Sequence, residues 1–195
     1  MERGRFKPDR NSNCAGAASY AFDRAFRRRS ARLQVRPEQP HDFAFLQLLA
    51  ARCSPLAELL PAAILAQQAV AQEASHRSQY PDAMRRIVTF EGKTAGRIVV
   101  QWDSERTSHG VDIAVLPELR RSGAGLCMLR SWLDAADLGN WRCTLQVRRD
   151  NPVARLYQCI GFRIVDEMPG DGELPFARMV RAPARFDIAS RNGED

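Results

Sequence analysis

The spacing of apolar residues along the chain changes period several times, and each change predicts an element. The first 31 residues hold no sustained periodicity and read as a polar arm, weakly helical at most over residues 20–29. Residues 33–36 alternate, as a short strand does. A helical stretch then runs over about residues 38–52, with Phe43, Leu46, Leu49 and Ala50 on one face. Ser54-Pro55 has the form of an N-cap followed by proline at the first helical position. A second helix is therefore expected through Leu56, Leu59, Leu60, Ala63, Ile64 and Val70, fading near His76. Tyr80-Pro81-Asp82 is a loop.

Residues 86–90 and 96–102 read as two strands joined by the turn Glu91-Gly92-Lys93-Thr94, a hairpin. A third β-like run, residues 110–116, stops at Pro117. Leu126, Leu129, Leu133 and Ala136 mark a helix that Gly139 ends. Residues 143–147 alternate again. Asn151-Pro152 opens a further helix that reaches Ile160 before Gly161 breaks it, and residues 162–165 and 176–180 close the pattern as strands. This order predicts a single mixed α/β domain over about residues 32–182, followed by a tail over 183–195.

The chain has 195 residues, 45% of them hydrophobic, enough for one substantial core and short of two full domains. No stretch approaches 18 apolar residues, since residues 56–66 are interrupted by Glu58 and Pro61, which excludes a membrane-spanning helix. The first 30 residues place Arg and Asn where a secretory signal needs an apolar run. The net charge of +6 is concentrated: residues 1–36 hold ten basic and three acidic residues, and the remainder is nearly neutral. A basic arm attracts nucleic acid or anionic lipid. Phe6, Tyr20, Phe22 and Phe26 near Arg27-Arg28-Arg29 keep a single-stranded nucleic-acid reading available. Five cysteines, an odd number with no Cys-x-x-Cys pair, fit a reduced, cytoplasmic chain with neither structural disulfide nor zinc.

The chemistry begins in VDIAVLPELRRSGAGLCMLRSWL. Arg120, Gly123 and Gly125 form R-x-x-G-x-G between a strand and a helix, where glycines permit close approach and helix-start N–H groups face an anion. A pyrophosphate suits such a mouth. The P-loop pattern is absent, and Met128 replaces the third Rossmann glycine.

These blocks resemble the GNAT superfamily of acyl-coenzyme A-dependent N-acyltransferases. The likeness covers about residues 32–182. It rests on IAVLPELRRSGAGLCMLRSWL and on DNPVARLYQCIGF, which supplies Asn151, Ala154, Tyr157, Gly161 and Phe162. The resemblance implies a mixed sheet, flanked by about four helices, that splays open between residues 110–116 and 143–147 to admit acetyl-coenzyme A. It implies that Ile113, Ala114 and Val115 hold the pantetheine arm and that Arg120, Arg121, Ser122, Gly123, Ala124, Gly125 and Leu126 bind pyrophosphate. Asn151 contacts the cofactor, and no metal takes part. Ala124 stands where the family usually has Ile or Leu.

Acyl transfer from a thioester to an amine needs a neutral nitrogen, a stabilised oxyanion and a protonated leaving thiol. Tyr157 is the candidate acid, with a phenol near pKa ~10 against about 8.5 for a thiol. A backbone N–H of the strand ending at Leu116 is the candidate oxyanion donor. Asp112, a carboxylate in an otherwise apolar strand, is the candidate base, its alternative being an ion pair with an arginine. His109 and Glu118 rank below it. His76, Arg77, Tyr80 and Asp82 are candidates for recognising a small-molecule or peptide amine. The expected activity is direct acetyl transfer in a ternary complex, with a non-catalytic acyl-coenzyme A sensor as the alternative and nucleic-acid binding third. A homodimer is compatible with the chain, and no membrane partner is expected.

Overall fold

The computed structural model describes residues 10–165 and 175–184. Strands β1 (Leu33–Pro37), β2 (Met84–Phe90), β3 (Lys93–Trp102) and β4 (Thr107–Val115) pair antiparallel in succession. β5 (Arg142–Arg148) joins β4 in parallel. β6 (Arg163–Ile164) and β7 (Phe176–Arg181) follow, and the seven strands lie in the order β1-β2-β3-β4-β5-β7-β6. Turn chemistry fixes the β2–β3 hairpin: Glu91 and Gly92 both adopt positive φ, +50° and +80°, as a two-residue turn requires.

Five helices flank the sheet among the described residues: α1 (Arg10–Arg27), α2 (Phe43–Cys53), α3 (Ala62–Gln79), α4 (Ala124–Leu138) and α5 (Val153–Cys159). Alternation along β3 divides the buried side chains between two faces. Ile98 and Val100 join α1 and α4 in one cluster around Trp132, Met128 and Phe162. Val99 and Ile87 are buried outside that cluster, as are Leu46, Leu49, Leu65 and Ala69 of α2 and α3. Gly110 is a packing requirement, because a Cβ there would lie 2.8 Å from the Trp132 ring.

Two expectations are corrected. Much of the supposed polar arm is α1, and its Ala18, Phe22 and Phe26 are buried at four-residue spacing against the core. The stripe is flanked by alanines, of which Ala15 and Ala21 also pack on the core, and these small residues among Arg and Ser hide it from a search for a broad apolar face. Asp23 binds Arg86 at 2.8 Å, and Arg29 pairs with Asp134, so the helix is also tied electrostatically to β2 and α4. The folded unit therefore includes α1 and does not start at residue 32. Phe22 and Phe26 have no exposed surface and cannot stack on bases. Phe6 lies outside the described residues, as does residues 185–195 of the expected tail.

The second correction concerns α3, which begins at Ala62 and not beside Leu56. Pro61 lacks an N–H and its ring opposes helix before it, so residues 55–60 form turns. Ser54 does cap locally, its Oγ accepting from Leu56 N at 3.2 Å. α2 starts after a single 3-10 turn, Pro40–Asp42. Buried Asp42 accepts there from Gln39 N at 2.8 Å and from both Arg36 Nη atoms.

Candidate active site

A bulge in β4 makes the site. β4 pairs with β5 only from Thr107↔Arg142 to Gly110↔Leu145. On its other side Val99 faces Asp112 and Val100 faces Gly110, so Val111 is the extra residue of a β-bulge. Antiparallel strands direct alternate residues to the partner. Before the bulge Thr107 faces β3, its O accepting from Asp103 N at 3.0 Å; beyond it Leu116 N donates to Ala95 O at 2.9 Å. The phase has passed from odd to even positions. The main-chain groups of Asp112 and Ala114 thus engage β3, while those of Val111, Ile113 and Val115 face the side from which β5 has withdrawn. The sheet is splayed as the resemblance implies. The N–H of Leu116 itself is already used, so the free donors lie earlier in the strand.

Close approach reinforces the break. A Cβ on Gly96 would sit 2.4 Å from Ala114 O, so β3 and β4 can meet there only through glycine. Val115 O faces the gap and accepts from Cys53 Sγ at 3.3 Å.

The gap leads to the start of α4. Arg121 (φ +68°) and Gly123 (φ +89°) are left-handed, which turns successive N–H groups toward one concavity. Ala124 N is capped by Ser122 Oγ at 3.4 Å, and the first bond into the helix runs from Cys127 N to Gly123 O at 2.8 Å. Gly125 and Leu126 fall in the first turn, whose N–H groups lack intrahelical acceptors. Ala124 is buried, and Arg120 and Arg121 are exposed. Residues 113–115 and 120–126 therefore line one continuous edge. Asn151 is exposed and spends its Oδ1 on Val153 N at 3.1 Å, starting α5. That geometry neither adds nor removes a cofactor contact.

Tyr157 on α5 packs edge-on against Phe162, 5.9 Å between ring centroids. Burial, and then the negative charge of Asp112, pushes its phenol up to about 12. The hydroxyl therefore stays neutral at neutral pH.

Asp112 opens on a cavity of about 300 Å³ between the sheet and helices α2 and α3. Its charged end holds Asp112, Glu73, His76 and Arg97. Arg97 is 4% exposed in the middle of β3. Its Nη1 donates to Glu73 Oε2 at 2.6 Å, and its Nε lies 3.3 Å from Glu38 Oε2 and 3.8 Å from Asp112 Oδ2. Burial pushes the Asp112 carboxyl above the usual carboxylate range, against the opposing pull of Arg97 and His76. Glu73 shifts the other way: burial raises it, but Arg97, Arg77 and Arg85 together hold it low. Arg97 Nε, Arg97 Nη2, Glu38 Oε2 and Glu73 Oε1 are buried without hydrogen-bond partners among the described residues.

The arginine weighed as a partner of Asp112 is thus present, shared among three carboxylates. Glu73 and Arg97 were missed as site residues, although an arginine inside the apolar run GRIVV is a visible anomaly. His76 lines the cavity, and Arg77 bridges Glu38 and Glu73. Tyr80 stacks on His109 at 5.6 Å, and His109 Nδ1 lies 2.9 Å from Thr144 Oγ1. Burial, and then the charge of Arg178, lowers the His109 pKa. Glu118 is exposed and bonds Arg52 at 3.2 Å. Among the described residues, no group of His, Cys, Asp and Glu is arranged to hold a metal ion, and no helix is long and apolar enough to cross a membrane.

The fold as a whole recurs in solved structures. The ribosomal-protein-S18-alanine N-acetyltransferase of Escherichia coli superposes with a TM-score of 0.57 at 18% identity, over 84% of this chain and 99% of that one. The chain has the GNAT fold. The PaiA N-acetyltransferase of Thermoplasma acidophilum, solved with coenzyme A, gives 0.57 at 15% identity over 77% and 98% of the two chains. A chimeric spermidine N-acetyltransferase from Vibrio cholerae gives 0.58 at 21% identity over 78% and 96%. No protein-family model and no curated sequence matches the chain. The GNAT fold is thus carried here by a sequence far from those of its structural neighbours.

Proposed function

We propose that the protein is an acyl-coenzyme A-dependent N-acyltransferase that transfers an acetyl group to a primary amine. The observation that supports it most is the stretch of β4 from the bulge at Val111 through Ile113 and Val115, which has no β5 partner and is followed by the left-handed turn at α4. Such a run suits a ligand with amides in its arm and a diphosphate at its end, which is the chemistry of coenzyme A. Acetyl-coenzyme A supplies the thioester when bound. Ile113 and Val115 hold the arm, and residues 120–126 hold the diphosphate.

The residues divide the remaining work. The Ile113 N–H, facing the gap, bonds the carbonyl oxygen on which charge develops. Asp112, with its raised pKa, is a stronger base than an ordinary carboxylate and takes the proton that the attacking nitrogen loses as the amide bond forms. The neutral Tyr157 hydroxyl donates a hydrogen bond to the departing sulfur; with its pKa near 12 it assists chiefly as a dipole. The protein acts on a small-molecule or peptide amine, and the pairing of Asp112 with Tyr157 favours catalysis over an acyl-coenzyme A sensor.

Calorimetric titration of the full chain with coenzyme A is expected to saturate, and acetyl-coenzyme A with an amine to release free thiol. Tyr157→Phe is expected to keep the affinity and lose about 10²-fold in thiol release. A chain that shows no binding would sink the assignment, and one that binds without turnover with any amine would be a sensor.

A further inference from the structure

The cavity beside Asp112 is selective in both size and charge. Its ~300 Å³ lies at the small end for ligand pockets and, at about 30 Å³ per water-sized group, holds roughly ten non-hydrogen atoms. Away from the charged end the buried walls are apolar, Leu46, Leu49, Leu65 and Ala69, while Gln47, Ser54, Gln68 and Gln72 and the exposed Phe43 and Val70 line the rest.

The carboxylates at the charged end are served unequally. Glu73 binds Arg97 at 2.6 Å and also meets Arg77 and Arg85, while Glu38 shares Arg77 and Arg97. Asp112 has one cation within 4 Å among the described residues, Arg97 at 3.8 Å, and the other two acids already engage it. The Asp112 side chain retains 29% exposure where it lines the cavity. A half-compensated carboxylate in such surroundings gains most from a further cation. The buried Arg97, with two nitrogens lacking hydrogen-bond partners, reaches the same end of the cavity. It does not make an anion site, because three carboxylates outweigh its single charge.

We propose that the acceptor is a compact primary monoamine with an alkyl or arylalkyl body, its nitrogen at Asp112 and its body between α2 and α3. This rests on the acyltransferase reading above. The only acids among the described lining residues are Glu73 and Asp112, at one end, so a polyamine's second ammonium would find no carboxylate among the leucines and neutral glutamines that line the rest. A peptide exceeds the volume and brings backbone amides to apolar walls, where unpaired polar groups are costly.

The test follows thiol release by the full chain from acetyl-coenzyme A with 2-phenylethylamine, 3-methylbutylamine, spermidine and an alanine-initiated peptide. The monoamines are expected to exceed the others in kcat/KM by about tenfold or more. Ala50→Phe, at a half-buried lining position of α2, is expected to raise KM for 2-phenylethylamine by about tenfold and leave coenzyme A affinity unchanged. Val70→Phe, at an exposed lining position, gives the same direction of change without burdening the core. Preference for spermidine or the peptide, or indifference of KM to both variants, overturns the inference while acyl transfer stands. So does coenzyme A binding without turnover of either monoamine. Failure to bind coenzyme A removes both readings.

Discussion

Asp112 and Glu73 share Arg97, yet their carboxyl groups are displaced in opposite directions, and the stability of the protein should register the difference. A raised carboxyl in the folded state holds its proton beyond the unfolded value of about 3.9. Asp112 therefore costs stability as pH rises through its folded pKa. Glu73 is the reverse: its contribution is fully present above the unfolded pKa and is lost as pH falls through the folded one. At pH 7, Asp112→Asn should accordingly unfold at the same or a higher temperature than the parent. Its kcat/KM should fall by about 10²-fold or more, and the acidic limb of the rate profile should vanish. Thermal unfolding and pH–rate profiles of both proteins check the pair of outcomes. An unchanged limb and rate would remove Asp112 as the base.

At the scale of elements, α1 carries more of the fold than its composition suggests. Phe26 has no exposed surface and stacks near Phe22, ring centroids 5.9 Å apart. Phe26→Ala should cost about 3–5 kcal/mol, read from the midpoint shift in denaturant unfolding. A loss below about 1 kcal/mol would return residues 10–27 to the status of an appendage. This element also shows where sequence reading fails. The strands and α4 were legible because their apolar periods are broad and bounded by Gly or Pro. The stripe of α1 has a large aromatic only every fourth residue and depends on α4 to complete it. The start of α3 was misplaced because Ser54-Pro55 and Pro61 both mark helix starts, and only the packing of Leu65 and Ala69 selects the second. At the site, the glycine turn was readable from spacing, and Tyr157 was singled out only through the family resemblance. Glu73 was not, since Glu38, Arg97 and Asp112 meet it only after β3 is laid against α3.

For the whole molecule, the splay should be visible in exchange of backbone hydrogens. Asp112 and Ala114 are bonded into β3, whereas Val111, Ile113 and Val115 point into the gap. In the free protein the second set should exchange faster than the first. Adding coenzyme A should slow Ile113 and Val115 most. Uniform protection along β4 before the ligand is added would mean that the gap is closed in solution.

The extra residue at Val111 has a consequence for descent as well as for chemistry. A receptor written in main-chain amides asks of its sequence only a phase change and a few glycines, so nearly every surrounding side chain is free to drift. Sequences can then diverge widely while the fold keeps such a slot. This chain, at 15–22% identity to its structural neighbours, superposes along almost their entire length.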